Sequence, residues 1–138
     1  MEVIADTSFV AALGNREDSR HQACLAVYQH EDTILLPQTV LAEVGYVLGH
    51  RLGNRAFAAF LIQLPQTKYR LVALEAEDIL RTANLLQQYA DTRVDFVDAT
   101  IAAVAERLRI SRILTLDQRD FRIIRPTHTE FFEILPSA

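Results

Sequence analysis

An α/β fold, with a mainly parallel sheet covered by helices on both faces, is what the sequence predicts. Short apolar runs alternate with longer stretches of helical period along the chain. Of the 138 residues 50% are hydrophobic, enough for a sizeable core. No internal repeat, low-complexity tract or Gly/Ser linker interrupts the chain, so a single domain over 1–138 is expected.

Taken in order, residues 2–5 read as a buried strand and 7–13 as a short helix ending near Gly14. A helix is expected over 18–30, where Ala23, Leu25, Ala26 and Val27 are interrupted by polar positions. The run 33–36 is a second strand, stopped by Pro37. Val40, Val44, Val47 and Leu48 recur at helical spacing and give a helix over 39–48. After Gly49 to Gly53, a further helix over 54–64 stops before Pro65. A third strand is expected over 69–73, an amphipathic helix over 75–89 and an Ala-rich apolar helix over 95–108. Residues 112–115 make a fourth strand and 121–124 a fifth, and the tail 129–135 is expected to form one or two helical turns.

Bulk properties exclude several classes. No apolar run approaches the roughly 18 residues that cross a bilayer, and the start MEVIADTSF lacks the basic region and long apolar segment of a secretory signal. Cys24 is the one cysteine, which rules out an intrachain disulfide and fits a reducing cytoplasm. His21, His30, His50 and His128 are scattered, with no zinc-site spacing. The formal charge of -4 argues against a nucleic-acid partner, yet 13 of the 14 basic residues are Arg, the side chain suited to bidentate phosphate recognition.

Four acids stand out by position. Asp6 immediately follows the first strand, and Asp117 comes two residues after the predicted fourth. Both therefore fall at carboxyl ends of parallel strands, the edge where α/β proteins place their chemistry. Asp98 lies in the first turn of the Ala-rich helix, and Glu43 near the start of the helix after Pro37. Helices that follow strands begin at that same edge, so four separate segments aim an acid at one rim. Each acid alone is explained as well by capping or by a helix dipole, worth about 0.3–1 kcal/mol. Asp98, between Phe96, Val97, Ala99 and Ile101, and Asp6, at the end of a buried strand, are expected to be partly buried with few cations near them in sequence. Clustered carboxylates repel unless a positive ion sits between them. An all-oxygen set suits Mg²⁺ or Mn²⁺, and such ions serve phosphodiester cleavage. Neutralising the four acids in this way brings the formal charge of the chain to zero.

At these residues the chain resembles the PIN-domain nucleases, most closely the VapC-type toxins of bacterial toxin–antitoxin pairs. The matching pieces are Ile4-Ala5-Asp6-Thr7-Ser8, Glu43 in a mid-chain helix, Val97-Asp98-Ala99-Thr100-Ile101-Ala102-Ala103, and Leu114-Thr115-Leu116-Asp117-Gln118-Arg119-Asp120-Phe121. They occur in order and cover essentially the whole chain. The resemblance implies a PIN-like three-layer α/β/α sandwich with a four- or five-stranded parallel sheet, and endonucleolytic cleavage of RNA with Mg²⁺ or Mn²⁺. It implies Asp6 and Asp98 as principal metal-binding residues, Glu43 and Asp117 as the remaining catalytic acids, and Ser8 as a hydroxyl that hydrogen-bonds them. It also implies a small antitoxin protein as partner and a homodimer.

Secondary assignments carry less. Asp95 is placed as the N-cap of the Ala-rich helix, with a shared face with Asp98 as the alternative, and Asp120 as a solvated or capping residue. Arg16, Arg20, Arg51 and Arg55 lie near loops or helix ends and are candidates for phosphate contacts, exposed surface being the simpler reading. Phe57, Phe60, Leu61 and Leu64 form an apolar stripe that is either core or a seat for an antitoxin helix. Competing functions are a housekeeping PIN nuclease of RNA maturation and a non-catalytic PIN module that binds RNA or protein. A phosphoryl-transfer domain using Asp6 as nucleophile fits poorly, because Ser8 stands where a second Asp is needed and the only Lys is Lys68. No P-loop, dinucleotide fingerprint or nucleophile elbow is present.

Overall fold

A computed structural model describes residues 2–137. In chain order the elements are β1 (Val3–Ala5), α1 (Thr7–Leu13), α2 (His21–His30), β2 (Ile34–Pro37), α3 (Gln38–Leu52), α4 (Asn54–Gln63), a 3₁₀ turn (Leu64–Gln66), β3 (Tyr69–Val72), α5 (Ala76–Gln88), α6 (Phe96–Leu108), β4 (Arg112–Leu114), α7 (Gln118–Ile123) and β5 (Glu133–Leu135). The five strands form one sheet in the order β3-β2-β1-β4-β5, and each neighbouring pair is parallel. β1 and β2 are buried along their whole length, as a sheet covered on both faces requires.

Parallel crossovers are right-handed. The steps from β1 to β2 to β3 therefore carry α1 to α4 over one face. The steps back past β1 to β4, and on to β5, carry α5 to α7 over the other. The packing agrees: α1 lies against α2 and α3, α3 against α4, and α5 against α6. The direction of growth reverses beside β1. The loops leaving β1 and β4 thus diverge and open a crevice at their carboxyl ends.

Local chemistry sets the helix ends that matter. Asp95 and Asp98 form a capping box at the start of α6, each side chain accepting from the other's backbone N–H at 2.9 and 3.2 Å. Glu75 and Asp78 do the same for α5. Arg109 ends α6 in the left-handed region at φ 58°. Gly53, at φ +90°, separates α3 from α4 and suits a residue without Cβ.

The predicted three-layer α/β/α architecture with a five-stranded parallel sheet is observed, with four corrections. Residues 121–124 are not the fifth strand, since Phe121 to Ile123 belong to α7. Phe121 and Ile124 are both fully buried and three apart, a spacing that one helical turn places on one face and a strand would split between two. The tail is not helical: Glu133–Leu135 is the edge strand β5, paired Arg112↔Glu133, Ile113↔Ile134 and Leu114↔Leu135. Pro136 disfavours the helical region for Leu135 before it. Helix α2 begins at His21 rather than at Asp18, whose carboxylate instead accepts from the Arg20 N–H at 2.8 Å. Helix α3 runs through Gly49 to Leu52, so Gly53 alone makes the break expected over 49–53.

The apolar stripe on α4 is divided. Phe57, Phe60 and Leu64 pack partly buried against the core, with Phe57 and Phe60 stacked at 5.8 Å, while Leu61 is exposed. No residue of α4 is fully buried. Among the described residues, no helix is long and apolar enough to cross a membrane.

Candidate active site

The crevice beside β1 is built from the backbone outward. The Asp6 N–H donates to the Leu114 carbonyl at 2.8 Å, so the residue after β1 is still pinned to β4. Asp6 caps α1: Oδ1 accepts from the Thr7 N–H at 2.7 Å, and Oδ2 accepts from the Thr115 hydroxyl at 2.9 Å. Thr115 is fully buried, and its oxygen accepts from the Asp117 N–H at 2.9 Å. A hydroxyl has one hydrogen, and that of Thr115 is committed to Asp6. Ser8 must therefore donate across the 3.2 Å contact between the two hydroxyls. Ser8 Oγ in turn accepts from the Leu116 N–H at 2.9 Å. The hydroxyl hydrogens run in one direction, from Ser8 through Thr115 to Asp6.

Glu43 stands in the second turn of α3, somewhat deeper than the sequence suggests, because α3 starts directly at Gln38. The Thr7 hydroxyl donates to its Oε1. Asp98 is the third residue of α6. The two helices are tied together by threonines. The Thr100 hydroxyl donates to the Val97 carbonyl at 2.7 Å, which leaves Thr39 as donor in the 2.8 Å Thr39–Thr100 bond.

Asp6, Glu43, Asp98 and Asp117 line one cleft of about 500 Å³, with Thr7, Ser8, Asp95 and Asp120 in the same wall and Tyr46 and Arg51 at its edge. All four predicted acids and both supporting residues thus reach one place. Asp95 fills both readings given to it, since it caps α6 and lines the cleft. Asp120 corrects the sequence reading: it is 4% exposed, not solvated. It lies three residues after Asp117 and shares that side of α7. Arg51 alone of the four singled-out arginines lines this cleft, and Arg16 lines an apolar cavity between α1, α2 and β3.

The electrostatics are those of acids held against their preference. Burial pushes the Asp6 carboxyl up to about 6; the Thr7 N–H and Thr115 hydroxyl oppose the rise, while the Glu43 and Asp117 charges add to it. Asp98 is pushed up to about 8, first by burial and then by the charges of Asp95 and Asp6, against the pull of the Asp95 N–H. Asp120 is raised by burial and by Asp117, with the Arg93 guanidinium partly offsetting them. Ion pairs among the described residues lie elsewhere, joining Arg81 to Glu106, Arg107 to Asp78 and Glu75, and Arg112 to Glu31 and Glu133, and none includes a cleft acid. Asp120 Oδ1 is buried without a hydrogen-bond partner.

An all-oxygen, electron-rich cleft of this kind fits a hard divalent cation. Among the described residues no three acids converge to the spacing of a closed cage.

The PIN domain profile matches residues 3–125. The chain belongs to the PIN-domain family. PIN domains are nucleases, and the chain is an enzyme of that class. A curated relative, Ribonuclease VapC26 of Mycobacterium tuberculosis, is 30% identical over 135 residues, covering 97% of this chain and all of that protein. The 23S rRNA-specific endonuclease VapC20 of the same organism is 29% identical over 83% of this chain and 88% of its own length. Its crystal structure, described as that of a sarcin-ricin-loop-cleaving toxin, superposes with a TM-score of 0.77 over 83% of this chain and 89% of that one. VapBC2 of Rickettsia felis, solved bound to a promoter DNA fragment, shares the PIN fold at 18% identity, with a TM-score of 0.70 over 97% and 98% of the two chains.

Three residues of this PIN cleft escape a reading of the sequence alone. Thr7 and Thr115 are ordinary polar residues after strands, and only the sheet brings them to Glu43 and Asp6. Asp120 shows a signal in retrospect, because it lies one helical turn from Asp117.

Proposed function

We propose that the chain is an endoribonuclease that hydrolyses RNA phosphodiester bonds with a divalent metal ion, Mg²⁺ in use and Mn²⁺ as a substitute. One observation carries the reading: acids from four separate segments line a single cleft, and none of them has a basic partner among the described residues. Asp6 and Asp98 hold the ion, with Glu43 and Asp117 completing the set. A bound divalent ion supplies a water of lowered pKa and offsets the charge that builds on the phosphoryl group.

The rest is the work of the protein. Thr115 and the Thr7 N–H fix both oxygens of Asp6 and favour its charged form, leaving further lone pairs free toward the cleft. Ser8 orients Thr115. The Asp95 N–H fixes Asp98 Oδ2, and the Asp98 carboxylate would be one of the groups that hold the ion. Thr7 fixes Glu43.

The relatives named as VapC ribonucleases support reading the chain as the toxin of a toxin–antitoxin pair; within that reading we propose that it acts in the cytoplasm, is held inactive by a small antitoxin protein and assembles as a homodimer. Ribosomal RNA is the first substrate to test, since VapC20 is named for 23S rRNA.

The deciding experiment incubates purified protein with ribosomes, total RNA and transfer RNA, and maps the new 5′ ends. Cleavage that EDTA stops and Mn²⁺ restores, and that the double variant Asp6→Asn/Asp98→Asn lacks, is expected. Cleavage that survives EDTA, or survives the double variant, overturns the reading.

A further inference from the structure

The chain handles its positive charge unevenly. Six of its thirteen arginines are engaged: Arg81, Arg107 and Arg112 in ion pairs, and Arg70, Arg122 and Arg125 in hydrogen bonds to nearby oxygens. Among the described residues, the side chains of Arg93 and Arg119 take part in neither, and both are exposed. Both line a shallow groove of about 420 Å³ that shares Ser8, Leu116 and Asp117 with the acidic cleft. Groove and cleft are therefore neighbours, with these three residues lining both.

The two arginines come from different elements. Arg93 stands in the loop before α6, two residues ahead of Asp95, and Arg119 is the second residue of α7. Arg51 lines the cleft but not the groove, is exposed near the end of α3 and also makes no side-chain hydrogen bond or ion pair among the described residues. Arg16, Arg20, Arg55 and Arg109 also make no such bond, but only Arg51, Arg93 and Arg119 of these seven line the acidic cleft or its groove, where the Arg93 charge is felt by Asp120. A chain of net charge -4 that acts on a polyanion needs its cations where the backbone passes.

We infer that Arg93 and Arg119 together grip a backbone phosphate of the RNA strand beside the bond to be cut, and that the strand crosses the cleft toward Arg51. The inference rests on the ribonuclease reading above. The planar fork of Arg matches a phosphate bidentately. A grip on a non-reacting phosphate acts alike before and during the reaction. It therefore belongs in KM, not in kcat.

The test uses the full chain with Mg²⁺, made inactive by Asp98→Asn so that the RNA survives. Binding of a fluorescent single-stranded RNA is followed by anisotropy from low to high salt. Arg93→Ala/Arg119→Ala is expected to weaken binding about tenfold, the worth of one charge-assisted hydrogen bond or more. The slope of log affinity against log salt should shrink by about 0.7 for each phosphate that the variant no longer neutralises. Arg93→Lys/Arg119→Lys should restore the slope but only part of the affinity, because Lys lacks the fork. In the active chain, the alanine pair should raise KM and change kcat by less than about twofold.

Affinity and slope equal to those of the parent overturn the grip, as does a lost kcat with an unchanged KM. An Arg51→Ala variant with unaltered slope overturns the crossing. A parent that cleaves no RNA with either metal overturns the ribonuclease reading instead, a failure that the binding data do not mimic.

Discussion

The Thr115 hydroxyl donates to Asp6 Oδ2 at 2.9 Å, across 109 residues of chain. It joins the end of β1 to the end of β4 where their loops part. It also gives a buried carboxylate a donor without supplying a charge that would displace a metal ion. Second partners of this kind orient a ligand oxygen and tune its basicity.

Replacing Thr115 by Val keeps the shape and removes the donor. We expect metal-dependent cleavage to fall about 10–100-fold, with a higher concentration of Mn²⁺ needed for half activity. Thr115→Ser should recover most of the loss. A Val variant with parental metal dependence would show that Asp6 needs no such support.

Asp6→Asn and Asp98→Asn should each lower cleavage by about 10²–10³-fold or more, the scale of removing one electrostatic group from an active site. Without metal, neither variant should melt below the parent, because each removes a like charge from the cleft. Differential scanning fluorimetry in EDTA checks this. A marked drop in Tm would make the acids structural.

Acidity should act with opposite sign on the two metal states. Asp6 and Asp98 titrate at about 6 and about 8 in the folded chain against an ordinary 3.8. The metal-free folded chain therefore holds more protons than the unfolded chain between about pH 4 and pH 8, and its stability falls as pH rises through that window. Below it the sign reverses. The Arg112 guanidinium holds the Glu31 carboxyl under its ordinary 4.5, and the stability that pair adds is lost as pH falls through the lowered value. Saturating Mg²⁺ or Mn²⁺ replaces protons, so the Tm gained on adding metal should be larger at about pH 8 than at about pH 5. An equal gain at both would dissociate the acids from the ion.

Stability and catalysis should separate at the far end of α6. Asp78 is 1% exposed and accepts from Arg107 Nε at 3.0 and 3.1 Å, bracing α5 against α6. Arg107→Ala leaves that carboxylate buried without its charged partner, with only the Glu75 N–H still donating to it, at a cost of about 3 kcal/mol. Urea unfolding should show the loss, while kcat per folded molecule stays at the parental value. Unaltered stability would mean that water replaces the guanidinium.

Much of this was legible in the sequence, for identifiable reasons. Asp6, Asp98 and Asp117 declare themselves because each sits at a fixed offset from an element with a strong apolar pattern, and parallel topology sends those offsets to one edge. Glu43 follows from Pro37, which starts its helix. The parts that stayed hidden depend on pairing across the sheet. Thr115 gains its role only when β1 and β4 lie side by side. Asp120 looks solvated until α7 is known to be a helix, and α7 was obscured because Phe121 to Ile124 form a run too short for periodicity to decide between strand and helix. The edge strand β5 has three residues and so carries almost no pattern of its own.

The order of the sheet also bears on how the cleft comes apart. Asp6 follows β1 and Asp117 follows β4, and these strands, distant in the chain, are hydrogen-bonded neighbours in the sheet. The two acids are therefore held together only while β1 and β4 stay paired. Loosening of that one seam disperses the cleft even where every helix keeps its own hydrogen bonds.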